Sequence, residues 1–178
     1  MITAQQLAEA IVCPPARADK WVNAMNEAME RYDINTPERQ AAFLAQIGHE
    51  SGRLVYVREI WNPTQCHWQA KYEGRADLGN VQPGDGARFK GRGLIQITGR
   101  ANYKACGEAL GIDAISTPEL LEQPAFAAMS AAWFWDKHHC NDLADAGEFQ
   151  RITKVINGGL NGQVDRLALW ETSKGALA

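Results

Sequence analysis

The sequence predicts a mainly α-helical single domain that spans residues 1–178, with a small β element or irregular lobe at one side. Apolar residues recur at helical spacing through most of the chain, and glycines and prolines interrupt that spacing over one long segment, residues 61–88. With 178 residues and 46% hydrophobic composition, the chain is long enough to bury one proper core. We see no internal repeat and no linker, so we expect one domain.

Two helices are predicted before residue 33. Thr3 followed by Gln6 is typical of a capping box at the start of a short first helix. The pair Pro14-Pro15 ends that helix and begins a second one. The second helix carries one apolar stripe, which we interpret as core: Val22, Met25, Met29 and Tyr32.

A third helix is predicted over residues 36–51. Thr36 can cap its start, Pro37 suits the first helical position, and Gly52 can supply the left-handed residue that ends it. Glu50 lies near the end of this helix, on the face occupied by apolar residues at helical spacing: Phe43, Ile47 and Leu54.

Glu50 is therefore a candidate general acid. Partial burial and the negative end of the helix dipole both disfavour an ionised carboxylate, and a proton donor needs its protonated form. A partly buried glutamate held by a salt bridge is the structural alternative, and the helix pattern alone leaves both open.

The segment from Trp61 to Arg88 has no clear periodicity and is rich in turn residues. Long irregular segments within compact domains are often functional loops. Regular helices are predicted again afterwards, and the alanine-rich one that begins at Pro124 is expected to be the central buried helix. These later helices cover residues 101–110, 118–121, 124 to about 138, 149–156 and 164–176.

Composition argues against several functions. A net charge of −3 argues against a strong nucleic-acid binder, although basic residues concentrate in the middle third of the chain, where they could meet an anionic polymer or be a solvated face. No run of 18 apolar residues exists, so stable membrane insertion is not expected. Residues 1–12 contain Gln5, Gln6 and Glu9 and do not resemble a signal peptide, so we expect no export signal in the chain itself.

The cysteines and histidines do not form a metal-binding pattern. The four cysteines are widely spaced, and we interpret them as reduced thiols. His138, His139 and Cys140 are adjacent, but neighbouring side chains on a helix point about 100° apart and would chelate poorly. We therefore expect no metal and no organic cofactor.

Residues 91–103 form a second unusual block, in which glycines and polar residues alternate with apolar ones. It reads as a short extended wall of a cleft, with Gln96 and Thr98 directed at a ligand and Asn102 on the first turn of the next helix. Amide and hydroxyl groups of this kind bind sugar hydroxyls and N-acetyl groups. A turn followed by a helix cap is the structural alternative, and composition leaves both open. Three residues are expected to face the protein: Leu94, Ile95 and Ile97.

Three motifs together resemble the signatures of the chitinase-like glycoside hydrolases of family 19, and more narrowly the phage endolysins (lysozyme-type) of that family. They are His-Glu-Ser-Gly at residues 49–52, Phe-Lys-Gly-Arg-Gly-Leu-Ile-Gln-Ile-Thr-Gly-Arg-Ala-Asn-Tyr at residues 89–103, and Ile-Asn-Gly-Gly at residues 156–159. The resemblance implies a lysozyme-like α+β fold. It also implies hydrolysis of β-1,4 bonds in bacterial peptidoglycan, with chitin as an alternative substrate.

The resemblance assigns Glu50 as the general acid and Glu59 as the second carboxylate, while Glu73 or Asp85 compete by spacing. Thr98 is expected to help position the attacking water, and His49 to support the acid. An inverting mechanism needs the two carboxyl groups about 6.5–9.5 Å apart. The resemblance implies these substrate-binding residues: His49, Gln96, Thr98, Asn102, Tyr103, Asn157 and Arg166.

Two other functions remain open from the sequence. A lytic transglycosylase shares the broad pattern but leaves an anhydro sugar, and a non-catalytic wall-binding protein would grip the same glycan. As an endolysin, the protein is expected to be a monomer that leaves the host cytoplasm with a holin-type helper and acts on the wall in the periplasm. Peptidoglycan is its expected partner.

Overall fold

The computed structural model describes residues 1–178 and confirms the predicted mainly helical class. The β content consists of two isolated bridges, Arg58 to Arg92 and Arg92 to Ile97. No helix has both the length and the apolar character needed to cross a bilayer. The helices are α1 (Ala4–Ile11), α2 (Pro15–Arg31), α3 (Pro37–Glu50), α4 (His67–Ala70), α5 (Asp85–Arg88), α6 (Arg100–Leu110), α7 (Pro124–Lys137), α8 (Cys140–Asp145), α9 (Phe149–Asn157) and α10 (Gln163–Leu177), with 3₁₀ turns at Ala76–Leu78 and Pro118–Glu122.

The core is built on α3 and α7. α3 is buried from Ala41 to Gly48 and packs along α10, while α1 lies against α2, α3 and α10. The alanine-rich α7 is buried as predicted and packs on α2. Met129 and Phe134 of α7 touch both the large apolar cluster and a smaller one around Phe89, so α7 joins the two. Apolar burial on this scale is the main stabilising term of the fold.

Local capping residues set the ends of the early helices as predicted. Thr3 and Gln6 form a reciprocal capping box on α1, and the Thr36 hydroxyl accepts a hydrogen bond from the Arg39 amide at 3.2 Å. After α3, three successive residues have left-handed backbone angles, namely Gly52, Arg53 and Leu54. This rare run turns the chain sharply away from Glu50 and leads it toward Glu59.

The predicted irregular lobe, residues 61–88, contains only short helical turns and is anchored to α6 through polar side chains. Asn80 is fully buried; its amide donates to the Tyr72 carbonyl, and its oxygen accepts from the Arg100 amide, both at 2.9 Å. Asp85 pairs with the Arg100 guanidinium. The lobe is therefore held in place by buried hydrogen bonds rather than by a sheet.

The expectation of an extended wall at residues 91–103 is wrong, because the chain folds into a tight turn there. Arg92 and Ile97 exchange both backbone hydrogen bonds, at 3.1 and 2.7 Å, and Gln96 adopts a positive φ of 60°. Gly93 permits the turn to touch α7, since a Cβ on it would lie 2.7 Å from the Ser130 hydroxyl. Three apolar side chains are buried as predicted: Leu94, Ile95 and Ile97.

Candidate active site

Glu50 is the last residue of α3, and its side chain is 22% exposed. Its carboxylate is paired with the guanidinium of Arg166, which α10 carries into the core. The salt bridge that the sequence left as an alternative is thus present. Arg166 is therefore the charged group in direct contact with the candidate acid.

Arg166 is held by a buried polar chain that the sequence analysis missed. Its Nη1 donates to Gln46 Oε1 at 2.5 Å and its Nε to the Asn161 carbonyl at 3.2 Å. Gln46 in turn donates to the Thr153 hydroxyl at 2.9 Å. Gln46 and Thr153 are fully buried and Arg166 is 1% exposed. One signal for Gln46 was available, since it stands one helical turn before Glu50 in an otherwise apolar stretch.

His49 faces away from Glu50, toward the start of α10. Its Nδ1 lies 2.6 Å from Asp165 Oδ2, and Arg53 forms a two-pronged pair with the same carboxylate at 2.6 and 2.9 Å. The bonds from Arg53, and secondarily from His49, lower the pKa of Asp165 to about 2. Gly162 lies so close that a Cβ there would be 2.2 Å from the His49 ring. The imidazole is therefore a structural tie between α3 and α10, and Asp165 and Arg53 were not predicted.

Glu59 is anchored as an acceptor. Its Oε1 accepts from the Gly91 amide at 2.9 Å, and its own amide donates to the Gly91 carbonyl at the same distance. Its Oε2 faces Gln69 Nε2 at 3.4 Å and the Tyr72 hydroxyl at 3.5 Å. Burial and the charge of Glu59 raise the pKa of Tyr72 to about 12, so the phenol remains a donor. Hydrogen-bond donors therefore face both oxygens of the Glu59 side chain.

The two competing carboxylates are engaged elsewhere. Glu73 accepts from the amides of Gly84 and Gly86, at 2.6 and 2.8 Å, and so holds a turn. Asp85 is 1% exposed, and Arg100 lowers its pKa through bonds of 2.6 and 2.8 Å. Both carboxylates have structural partners within the lobe. Of the three, Glu59 alone is bonded to the Gly91–Thr98 block.

A pocket of about 200 Å³ brings together the predicted side chains of Gln96, Thr98 and Asn102. Gly91 connects this pocket to Glu59, since a Cβ on Gly91 would lie 2.8 Å from Gln96 Oε1 and 3.3 Å from Thr98 Oγ1. Asn102 is on the first turn of α6, as expected, and donates to the Thr98 carbonyl at 2.8 Å. The remaining lining residues are Leu78, Ile95, Ile97, Trp133, Phe134, Lys137, His138 and Ile156.

Asn157 is next to this pocket in the chain, at the last position of α9. Its side-chain oxygen lies 3.5 Å from Asn161 Nδ2, and the Asn161 carbonyl accepts from Arg166. Asn157 is thus connected through Asn161 to Arg166, which is the ion-pair partner of Glu50. The predicted polar residues come from distant parts of the sequence. Gln96 and Thr98 lie against Gly91, which is bonded to Glu59, and Asn102 is bonded to Thr98. Asn157 leads instead to Glu50.

Tyr103 is a correction to the predicted substrate-binding set. It is fully buried in the small apolar cluster, and burial raises the pKa of its hydroxyl. That hydroxyl donates to the Lys90 carbonyl at 2.5 Å and accepts from Arg92 at 3.0 Å. Its role is to hold α6 against the turn at residues 93–96. The motif placed it beside Asn102, but one helical step rotates it into the core.

An aromatic cluster beside Glu59 was also not predicted. The Tyr72 ring lies 5.9 Å from Trp61 and 5.5 Å from Trp68, and Trp68 is 54% exposed.

No group of three or more His, Cys, Asp or Glu side chains is arranged to hold a metal ion. All four cysteines are unpaired.

A helical fold with a glutamate at the end of a buried helix, a second glutamate anchored by hydrogen bonds, and a pocket that presents amide and hydroxyl groups is typical of a glycosidase. The chain belongs to glycoside hydrolase family 19, since the family model described as chitinase class I matches residues 20–145. A glycosyl hydrolase family 19 domain-containing protein from Haemophilus influenzae is 32% identical over 172 residues, which covers 83% of this chain and 84% of that protein.

Other similar proteins include plant enzymes and bacterial chitinases of known structure. An endochitinase from Arabidopsis thaliana is 36% identical over 138 residues, which are 76% of this chain and 45% of the plant protein. The chain thus spans about half the length of the plant endochitinases that it matches. Chitinase C from Streptomyces griseus aligns with a TM-score of 0.76 at 28% identity, over 99% of this chain and 76% of its own. A bacterial family 19 chitinase aligns with a TM-score of 0.78 at 28% identity, over 99% and 95%.

Proposed function

We propose that the protein hydrolyses β-1,4 bonds between N-acetylated sugars in the glycan strands of bacterial peptidoglycan. The observation that carries the proposal is the placement of Glu59. Its carboxylate is bonded to Gly91, whose other side lies against Gln96 and Thr98. A fixed carboxylate is thereby joined to groups that recognise sugar amides and hydroxyls.

Glu50 is the proposed general acid, which protonates the glycosidic oxygen as the bond breaks. The carboxyl group of Glu50 is partly exposed beside the guanidinium of Arg166, so a bound glycan can reach it. After proton transfer, the same guanidinium stabilises the carboxylate that remains. Arg166 thus stabilises Glu50 in the state that follows proton transfer.

Glu59 is the proposed base. Its donors fix the position of its carboxyl group, from which it stabilises the oxocarbenium-like transition state and removes a proton from the attacking water. Thr98 is the residue proposed to orient that water, since its hydroxyl lies on the Gly91 side of the pocket. Gln96, Asn102 and Asn157 are proposed to bind the sugar amides and hydroxyls.

A lytic transglycosylase is less well supported by these residues. That reaction closes an anhydro ring and needs a single acidic residue, whereas this chain has a second carboxylate, that of Glu59, with three donors directed at it. A binding protein without activity gives no reason for this pair of carboxylates. Chitin remains the alternative substrate, because its linkage and N-acetyl groups are the same.

The biological role proposed for this activity is that of an endolysin, which lyses the host from within. This part rests on the resemblance of the three motifs to phage lysozyme-type members of the family. Under this proposal the protein is a monomer, a holin-type helper opens the membrane, and the wall is reached in the periplasm.

The test is digestion of purified peptidoglycan by the native protein and by Glu50→Gln and Glu59→Gln, followed by mass analysis of the products. The expected result is hydrolytic reducing ends from the native protein and a loss of at least about a hundredfold in rate in each variant. Anhydro products would assign a transglycosylase, and binding without cleavage by the native protein would contradict the proposal. Circular dichroism of each variant checks that the fold is intact.

A further inference from the structure

One lysine lies in the wall of the sugar pocket. Lys137 ends α7, and together with His138 it lines the same pocket as Gln96, Thr98 and Asn102. None of the eleven lining residues is Asp or Glu, although the chain has 21 acidic residues against 18 lysines and arginines. The charge of this pocket is thus opposite in sign to that of the whole protein.

The ammonium group of Lys137 is free to bind a ligand. The lysines that form ion pairs in the structure are Lys104 and Lys174, each with a glutamate on its own helix. Lys137 instead lies over the ring of Trp133, with its Nζ 5.0 Å from the ring centroid. A cation–π contact restrains the position of an ammonium group but leaves its N–H donors available.

His138 does not share this role. Its ring packs against Phe134 with the centroids 4.2 Å apart, and burial, followed by the nearby charges of Lys137 and His139, lowers its pKa. Lys137 is therefore the cationic side chain of the pocket, since the lining contains no other lysine and no arginine. The adjoining cavity on the α8–α9 side contains Arg151 and Lys154 with Asp142 as its one acid, and Arg151 is paired with Glu148.

A neutral sugar would make no charge–charge interaction with the unpaired ammonium group of Lys137, whereas an anionic ligand would. Six of the lining residues are hydrophobic, and the exposed Lys137 is the cation among them. Hydrogen bonds between an ammonium group and a carboxylate are about twice as strong as neutral ones. The anionic groups on a peptidoglycan strand are carboxylates.

We propose that Lys137 binds a carboxylate of the glycan strand and makes this pocket selective for anionic peptidoglycan over neutral chitin. The inference rests on the proposed function and deepens it, since it names the residue that distinguishes the two substrate classes. The carboxylate comes either from the lactyl group of N-acetylmuramic acid or from the stem peptide.

The experiment measures kcat and KM on peptidoglycan strands with free carboxyl groups and on the same strands after carbodiimide amidation. The quantity compared is the ratio of kcat/KM on free strands to that on blocked strands. Lys137→Gln is expected to lower this ratio about tenfold, through KM, because one charge-assisted hydrogen bond is lost. Lys137→Arg is expected to retain it. Lys20→Gln, at an exposed lysine on α2, is the matched control and is expected to match the native ratio.

Two forms of the free strand distinguish the sources of the carboxylate. Strands freed of peptide by an amidase expose the lactyl carboxylate, whereas peptide-bearing strands expose only those of the stem. The strand on which Lys137→Gln lowers the kcat/KM ratio identifies the carboxylate that Lys137 binds. Cleavage by the native protein with the same ratio in Lys137→Gln overturns this inference alone. Failure of the native protein to cleave any strand overturns the proposed function and this inference with it.

Discussion

Arg166 and Glu50 stand 116 positions apart in the chain and form an ion pair at the junction of α10 and α3. The arginine side chain is 1% exposed, and two further donors of its guanidinium are bonded to Gln46 and to the Asn161 carbonyl. A buried cation with this many partners cannot move far. The proposed acid is therefore held at a fixed position by the packing of two helices.

Replacement of this arginine is expected to destabilise the protein. Arg166→Met leaves Glu50, Gln46 and the Asn161 carbonyl without their donors, so we expect the free energy of unfolding to fall by about 3 kcal/mol. Urea denaturation measures this. Arg151→Met removes an exposed pair with Glu148 and is expected to change stability by less than about 1 kcal/mol. Equal stability losses in the two variants would contradict the structural role of Arg166.

Gln46 is expected to act through Arg166. Gln46→Leu removes the acceptor of Nη1 and the donor to Thr153, and we expect a loss of about 2 kcal/mol in stability. If the chain of bonds acts as a unit, Gln46→Leu combined with Arg166→Met should cost less than the sum of the single changes, by at least about 0.5 kcal/mol. Additive losses would show that the two side chains act independently. Thr153→Val isolates the outer bond of the chain.

Measurements of cleavage rate and of stability are expected to distinguish the three candidate bases, Glu59, Glu73 and Asp85. Glu59→Gln should lower the rate of glycan cleavage by at least about a hundredfold with little change in stability. Asp85→Asn should lower stability by about 2 kcal/mol, because Arg100 loses a charged partner that is almost fully buried. Glu73→Gln should weaken the turn at residues 84–86 and leave the chemistry intact. A catalytic loss in Glu73→Gln or Asp85→Asn, with the fold intact, would move the base to that residue.

The Asp165 cluster predicts an acid-sensitive contribution to stability. Its pKa falls from the ordinary 3.8 to about 2, mainly through Arg53, so the folded state favours the ionised form. This contribution is complete above about pH 4 and is lost as the pH falls through about 2. In Asp165→Asn the free energy of unfolding should therefore vary less with pH over this window than in the native protein. The same slope in both proteins, measured by denaturation at several pH values, would contradict this assignment.

Local sequence determined most of the helix boundaries. The capping box at Thr3, the cap at Thr36, the start at Pro124 and the stop at Gly158 each depend on residues within one or two turns. They were therefore visible in the sequence. The extended wall predicted within residues 91–103 was wrong for the opposite reason, since the turn found there packs Gly93 against α7, which is distant in the chain.

The sequence by itself determined the helical class, the caps, and which polar residues stand in the motif blocks. Only the tertiary structure decided what each of them touches. It paired Glu50 with Arg166, turned His49 to Asp165, bonded Glu59 to Gly91 and buried Tyr103. Helix caps arise from short-range hydrogen bonds, whereas these contacts join side chains from separate elements. Their geometry exists only once the core has packed.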